Sequence, residues 1–140
     1  MLKIIDNWLL RHWPRYRLWR ICKATNIKPY KWQKMFALGQ LDYLPPEVRK
    51  QWGSGKTTAI FLRILMIPKN NAAAWAEAGR LVELDPSCLH PNFSKVLRIY
   101  SMEYRRLRDL CLAAGIPVLQ VEIYRMLREF DVTRLVNDTV

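Results

Sequence analysis

Tyr100-Ser101-Met102-Glu103-Tyr104-Arg105-Arg106-Leu107-Arg108-Asp109-Leu110-Cys111-Leu112-Ala113-Ala114-Gly115-Ile116-Pro117 is the stretch whose reading sets the fold class. Tyr100, Tyr104, Leu107, Cys111 and Ala114 recur at alternating steps of four and three, the spacing that puts side chains on one face of an α-helix. Arg98, Arg105 and Arg108 line another side and read as a solvated face, Arg106 with them. Gly115 and Pro117 supply the stop signal. The pattern runs back to about Phe93 and predicts a helix from there to Ala114.

Outward from this helix the chain reads as mostly helical. Residues 71–84 are Ala-rich and predict a helix ending at Asp85-Pro86. Thr57 to Ile67 is apolar almost all round, which marks a buried helix ended by Pro68. Residues 2–12 place Leu2, Ile5, Leu9 and His12 at helical spacing, with Trp8 and Trp13 beside them. Pro14 opens a second helix at its first turn; there Leu18, Ile21, Cys22 and Thr25 share a face and Asn26 is the stop. Pro29 starts a third, short helix through Trp32, Gln33, Phe36 and Leu38, closed by Gly39. Residues 40–55 hold Pro45, Pro46, Gly53 and Gly55 and read as loop. Ile116 to Tyr124 is the best strand candidate, and the tail from Met126 to about Val136 reads as helix. The expected fold is a compact, mainly α, single helical domain over 1–140, with room for a small sheet of two or three short strands near 43–52 and 116–124. Its parts are a basic Trp/Arg-rich helical segment (1–39), a glycine loop with a buried helix (50–67) and a helical remainder (71–140).

Composition bounds the function. In 140 residues, 51% are hydrophobic, enough for a packed core. Lys and Arg number 23 against 12 acids, a net charge of +11 that favours phosphates, nucleic acid or an acidic surface as partner. Cys22, Cys88 and Cys111 are widely spaced, without CxxC or Cys/His clustering, so free, inert thiols are expected and a disulfide framework or zinc site is not. The most apolar run, Ala59 to Ile67, is interrupted by Arg63 and falls short of the roughly 20 residues of a membrane span. Asp6 interrupts any signal-peptide core. The expected setting is cytoplasmic.

The charge is concentrated. Residues 1–34 carry nine basic groups (Lys3, Arg11, Arg15, Arg17, Arg20, Lys23, Lys28, Lys31 and Lys34) against Asp6 alone, a net of +8; the other 106 residues carry fourteen and eleven, +3. Four of the six tryptophans, Trp8, Trp13, Trp19 and Trp32, lie in the same stretch. Arg and Trp together suit phosphate contact with ring stacking, as on single-stranded nucleic-acid surfaces. For the rings, core burial is the leading expectation and stacking the alternative; the charge reads as a contact patch of Arg11, Arg15, Arg17, Arg20, Lys28, Tyr30, Lys31 and Lys34. An amphipathic segment of this kind could also lie on an anionic membrane, but Pro14 and Pro29 cut it into short pieces, and peripheral membrane contact is not expected.

The chemically distinctive segment is Gly53-Ser54-Gly55-Lys56-Thr57-Thr58. Glycines let the backbone curl so that successive amides face a phosphate. The lysine adds a positive charge at the terminal phosphates, and the next hydroxyl can ligate magnesium. The following helix aims its positive end at the same anion. Gly53, Ser54, Gly55, Lys56, Thr57 and Thr58 are therefore candidate phosphate-binding residues, with ATP and Mg2+ as the candidate cofactors.

This segment resembles the P-loop of nucleoside triphosphatases, and more narrowly the start of the ATPase domain of phage terminase large subunits and related helicases. There an adenine-recognising glutamine precedes the phosphate loop, and Pro29-Tyr30-Lys31-Trp32-Gln33-Lys34, followed by Arg49-Lys50-Gln51-Trp52-Gly53-Ser54-Gly55-Lys56-Thr57, is similar to that arrangement. The resemblance implies that Gln33 reads adenine, Lys56 the terminal phosphates and Thr57 the metal. It covers about residues 29–66. Lys50 stands where the full pattern has a glycine, and the acid that would complete the metal site has one candidate, Glu122, at the end of Ile116-Pro117-Val118-Leu119-Gln120-Val121. ATP hydrolysis is not expected. The chain also resembles small phage-encoded proteins carrying such a loop near mid-chain, which implies a phage or mobile-element-type protein in a host cytoplasm, engaging nucleic acid or a nucleic-acid–protein complex.

A competing pattern spans residues 18–37. Ile21 and Cys22 pack in a first helix, Asn26 takes a left-handed turn, Ile27 lies under it, and Trp32 and Met35 anchor a second helix. This resembles the helix-turn-helix of DNA-binding regulators, with Tyr30, Lys31, Gln33 and Lys34 facing DNA and Gln33 bonding adenine. Gln33 cannot serve both roles. The alternative function is thus a non-catalytic binding protein, a helix-turn-helix regulator or an anti-defence, anti-CRISPR-type inhibitor, whose glycine loop binds no nucleotide. His12 and His90 lack acid or nucleophile partners and read as core or surface, and Tyr100 and Tyr104 as core.

Overall fold

The computed structural model describes residues 2–45, 55–68, 70–85 and 93–120. Six helices run through them: α1 (Leu2–His12), α2 (Pro14–Thr25), α3 (Lys31–Ala37), α4 (Lys56–Leu65), α5 (Ala72–Glu83) and α6 (Phe93–Ala113). The protein is mainly helical, and no helix among the described residues is long and apolar enough to cross a membrane.

Local chemistry sets the helix ends. Pro14 opens α2, where its missing N–H would have had no partner. Asn26 closes it in the left-handed conformation (φ 58°), with its own amide and that of Ile27 both returning to the Cys22 carbonyl. Gly39 (φ +76°) ends α3, and Gly115 (φ +79°) ends α6, where the Ile116 amide bonds back to Cys111 O at 2.9 Å. Asn71 caps α5, its side-chain oxygen accepting the Ala74 amide at 2.9 Å.

The core forms around α4. Ala59, Ile60, Phe61, Leu62, Ile64 and Leu65 are all buried, as the unbroken apolar run predicts. α3, α5 and α2 pack on α4, and α2 also meets α1 and α6. Phe61 meets Tyr100 edge-on at 4.7 Å and Tyr104 at 5.4 Å, and the Tyr104 hydroxyl donates to Leu119 O at 3.0 Å. Both tyrosines are core. Truncating Phe61 to alanine in such a position costs about 3–5 kcal/mol. Arg63, the polar break in the run, lies over the Phe36 ring at 4.8 Å and donates to Leu41 O at 2.8 Å.

Two expectations change. Among the described residues there is no strand: 116–120 is irregular chain that buries Ile116, Val118 and Leu119 against the helices. Its apolar residues find helices to pack on and no neighbouring strand to pair with; positions 46–52 and 121–124, and the tail helix, lie outside the described residues. Three of the four N-terminal tryptophans are not core either, whereas Trp32 packs partly buried against the core, as expected. Trp8, Trp13 and Trp19 are 59%, 52% and 55% exposed, and Leu2 and Ile5 are exposed with them. α1 buries only Leu10, since it packs on the outside of α2.

Candidate phosphate turn and nucleic-acid interface

Gly55 forms the mouth of α4. It holds the left-handed conformation (φ 83°, ψ 18°), which costs a residue with a Cβ about 1–2 kcal/mol. Its carbonyl accepts the Ala59 amide at 3.0 Å, starting the helical ladder, and also the Gln33 side-chain amide at 2.9 Å. The other end of that amide, Gln33 Oε1, accepts the Tyr30 amide at 2.8 Å, capping α3. Gln33 is only 3% exposed. Both of its polar atoms therefore go to backbone, one tying down α3 and the other clasping α3 to α4. Buried in this way, the Gln33 amide is committed to the two backbone groups and is not presented to solvent, where adenine or a DNA base would meet it.

Lys56, Thr57 and Thr58 follow, each half-buried. The Thr57 hydroxyl donates to Asp85 Oδ2 at 2.8 Å, and Asp85 is completely buried at the end of α5. Asp85 is the acid that sequence reasoning missed. An acid that ends an apolar strand is the pattern legible in sequence, and Glu122 fits that pattern. Asp85 follows Leu81-Val82-Glu83-Leu84, the last turn of α5 and its C-cap, where Leu81 and Val82 are buried and Glu83 is exposed, so no apolar strand pattern marks it. A hydroxyl and a carboxylate in hydrogen-bond contact are hard oxygen donors of the kind that hold Mg2+ on a nucleotide, so this pair fits that ion. Gly53, Ser54 and Glu122 lie outside the described residues. Among the described residues no group of three or more His, Cys, Asp or Glu side chains could hold a metal by itself.

The basic segment divides into structural and exposed groups. Arg17 is 2% exposed and sends its guanidinium to Leu65 O (2.8 Å), Pro117 O (2.6 Å) and Ile67 O (3.5 Å). It thus joins the C-terminal carbonyls of α4 to the chain after α6, and it offers nothing to a nucleic-acid phosphate. Its Nε and Nη1 are buried without a partner, and burial pushes its pKa down to about 10, still charged at neutral pH. Arg20 is half-buried; it pairs with Asp6 and donates to Ala114 O at 2.9 Å. Asp6 also accepts from the Tyr16 hydroxyl, so these two bonds, Tyr16 first, hold its carboxyl below the usual range. Arg11, Arg15, Lys28, Tyr30, Lys31 and Lys34 are exposed.

Aromatic rings form a ladder along α2. Trp13 and Tyr16 stack at 6.1 Å and 19°, and Tyr16 and Trp19 follow at 5.9 Å and 35°. Lys23 Nζ lies 4.9 Å from the Trp19 ring centre, and Trp8 meets His12 at 5.1 Å on α1. Positions 13, 16 and 19 share a face because three residues make nearly one helical turn. Tyr16, tied to Asp6, fixes the middle rung. Cys22 and Cys111 are free thiols whose pKa values burial pushes up to about 11, which makes both poor nucleophiles. Cys88 lies outside the described residues.

No family model, no curated protein and no solved structure matches the chain.

Proposed function

We propose that the protein binds nucleic acid, free or within a nucleic-acid–protein complex, through the exposed cationic and aromatic face of α1–α3. One observation carries this reading: the Trp13–Tyr16–Trp19 ladder, its outer rings more than half exposed, with the exposed Arg15, Lys28 and Lys34 around the groove that Trp19 lines. Large exposed aromatic residues gathered in one patch mark an interaction surface. With cations alongside, that surface suits phosphate contact and base stacking, each stacked base contributing about 1–3 kcal/mol. A helix-turn-helix reading in which α3 enters the major groove is weaker, because Gln33 is buried against α4 and Tyr30, Lys31 and Lys34 would be left to reach DNA without their base-reading amide. A cytoplasmic, phage or mobile-element setting goes with this reading, resting on the resemblance and on the free thiols.

Titrating a labelled oligonucleotide with the full chain at several salt concentrations is the test. Affinity should fall linearly on a log–log plot against salt, and Arg15→Glu with Lys31→Glu should weaken binding to every sequence. Absence of binding at low salt, or an affinity insensitive to salt, would overturn the proposal.

A second reading, a nucleotide with Mg2+ at the mouth of α4, is favoured by the Thr57–Asp85 contact beside Lys56. Lys56 and the amides after Gly55 would meet the phosphates, while Thr57 and Asp85 would hold the ion. ATP with Mg2+ at about 100 times its dissociation constant should then stabilise the fold by about 2.7 kcal/mol. Lys56→Ala and Asp85→Asn should each abolish that gain, and a wild-type melting temperature unmoved by ATP and Mg2+ would refute it.

A further inference from the structure

We infer that the groove between α2 and α3 receives one splayed-out nucleotide of a bound strand and so confers a preference for single-stranded over double-stranded nucleic acid. This rests on the nucleic-acid reading above and names the element of that surface which selects the strand form.

The groove has a volume of about 550 Å3, within the roughly 300–1,000 Å3 typical of small-molecule sites. Its floor is apolar, with Leu18 and Leu38 among the residues there, and Trp19 supplies an aromatic wall. Arg15, Lys28 and Lys34 stand around it, and no carboxylate lines it. None of these three cations forms an ion pair with another described residue. An occupant must therefore combine a flat or apolar body with negative charge. A nucleotide unit has that form: its base can lie against Trp19 and the floor while its phosphate meets the cations. The ladder of Trp13, Tyr16 and Trp19 leads along α2 to this groove, so neighbouring bases of the same strand have rings to stack on. In a duplex each base is stacked and paired, and entering a recess between helices requires extruding it at a cost of a few kcal/mol. A single strand bears little of that cost.

The experiment compares the affinity of the full chain for oligothymidylate and for a duplex of equal length at fixed salt. Wild type should favour the single strand by about tenfold or more, consistent with the value of one stacked base. Leu38→Trp fills the groove without changing charge and should erase that preference while leaving duplex affinity unchanged. Lys28→Gln with Lys34→Gln supplies an independent reading should Leu38→Trp fail to fold; it should weaken the single strand more than the duplex. Arg80→Gln, on the exposed side of α5, serves as the charge control and should lower both equally or neither. Equal wild-type affinity for the two forms, or a preference that survives both groove variants, overturns the inference and leaves the nucleic-acid reading standing. Displacement of the oligonucleotide by polyglutamate at equal charge concentration also overturns it, since the groove would then take an acidic polypeptide. Binding to neither form defeats the parent reading and the inference together.

Discussion

Gln33→Glu is the most informative single substitution, because it changes one atom at the junction of α3 and α4 without changing shape. The new carboxyl can still accept the Tyr30 amide, but ionised it presents an oxygen to Gly55 O where Gln33 donates at 2.9 Å. Losing that hydrogen bond costs about 1 kcal/mol, and a buried carboxylate against a carbonyl costs more. The group can escape by protonating, since a neutral acid donates to Gly55 O and restores both bonds. Protonating a carboxyl of ordinary pKa about 4.3 at pH 7 costs about 3.7 kcal/mol, which is the ceiling on the loss. The folded-state pKa is raised, so the deficit is greatest near neutral pH and shrinks by about 1.4 kcal/mol per pH unit as pH falls toward the unfolded value. Urea denaturation at pH 7 and pH 5 measures this, and the neutral-pH melting temperature should fall by about 10 °C. A variant as stable as wild type at pH 7, or equally destabilised at both values, refutes the clasp. Changed oligonucleotide affinity in fully folded variant would restore Gln33 to the binding surface.

Gly55→Ala should cost about 2–3 kcal/mol by thermal denaturation, from the left-handed backbone and from a Cβ driven into the Gln33 amide. Combining it with Gln33→Ala should cost less than the sum, and strict additivity would show that the two do not touch. Arg17→Met should lose about 2–4 kcal/mol, because Leu65 O and Pro117 O are left without their donor; oligonucleotide affinity should hold, and a fall like that of Arg15→Glu would contradict the burial of Arg17. Asp6 has a folded pKa below its unfolded one, so its contribution is present above about pH 4 and lost as pH falls through the folded value. Asp6→Asn should therefore reduce stability at neutral pH by under about 1 kcal/mol and flatten the acid limb of the stability curve; an unchanged limb would remove the Tyr16–Asp6–Arg20 cluster as its source.

The helices were legible because their determinants are local. The four-and-three steps of Tyr100, Tyr104, Leu107 and Cys111, the proline at 14, Asn26 in its left-handed turn and Gly39 and Gly115 as stops each act within a turn or two of chain. The apolar run from Ala59 to Leu65 likewise marks the central helix by itself. Strand assignment at 116–120 was not legible: an apolar segment records that it is buried, and only the partner available to it decides between a sheet and a plug against helices.

The candidate site divides along the same line. Sequence alone determined the concentration of charge and tryptophan in residues 1–34 and the glycine–lysine–threonine turn before a buried helix. Tertiary structure decided which of those groups are free to act. It spent Gln33 and Arg17 on backbone carbonyls, left Trp13 and Trp19 in water, and brought Asp85 onto Thr57 from 28 residues away. The physical reason is that a polar side chain's partner is set by what lies within about 3 Å after packing, and residue type fixes only how many such partners it needs.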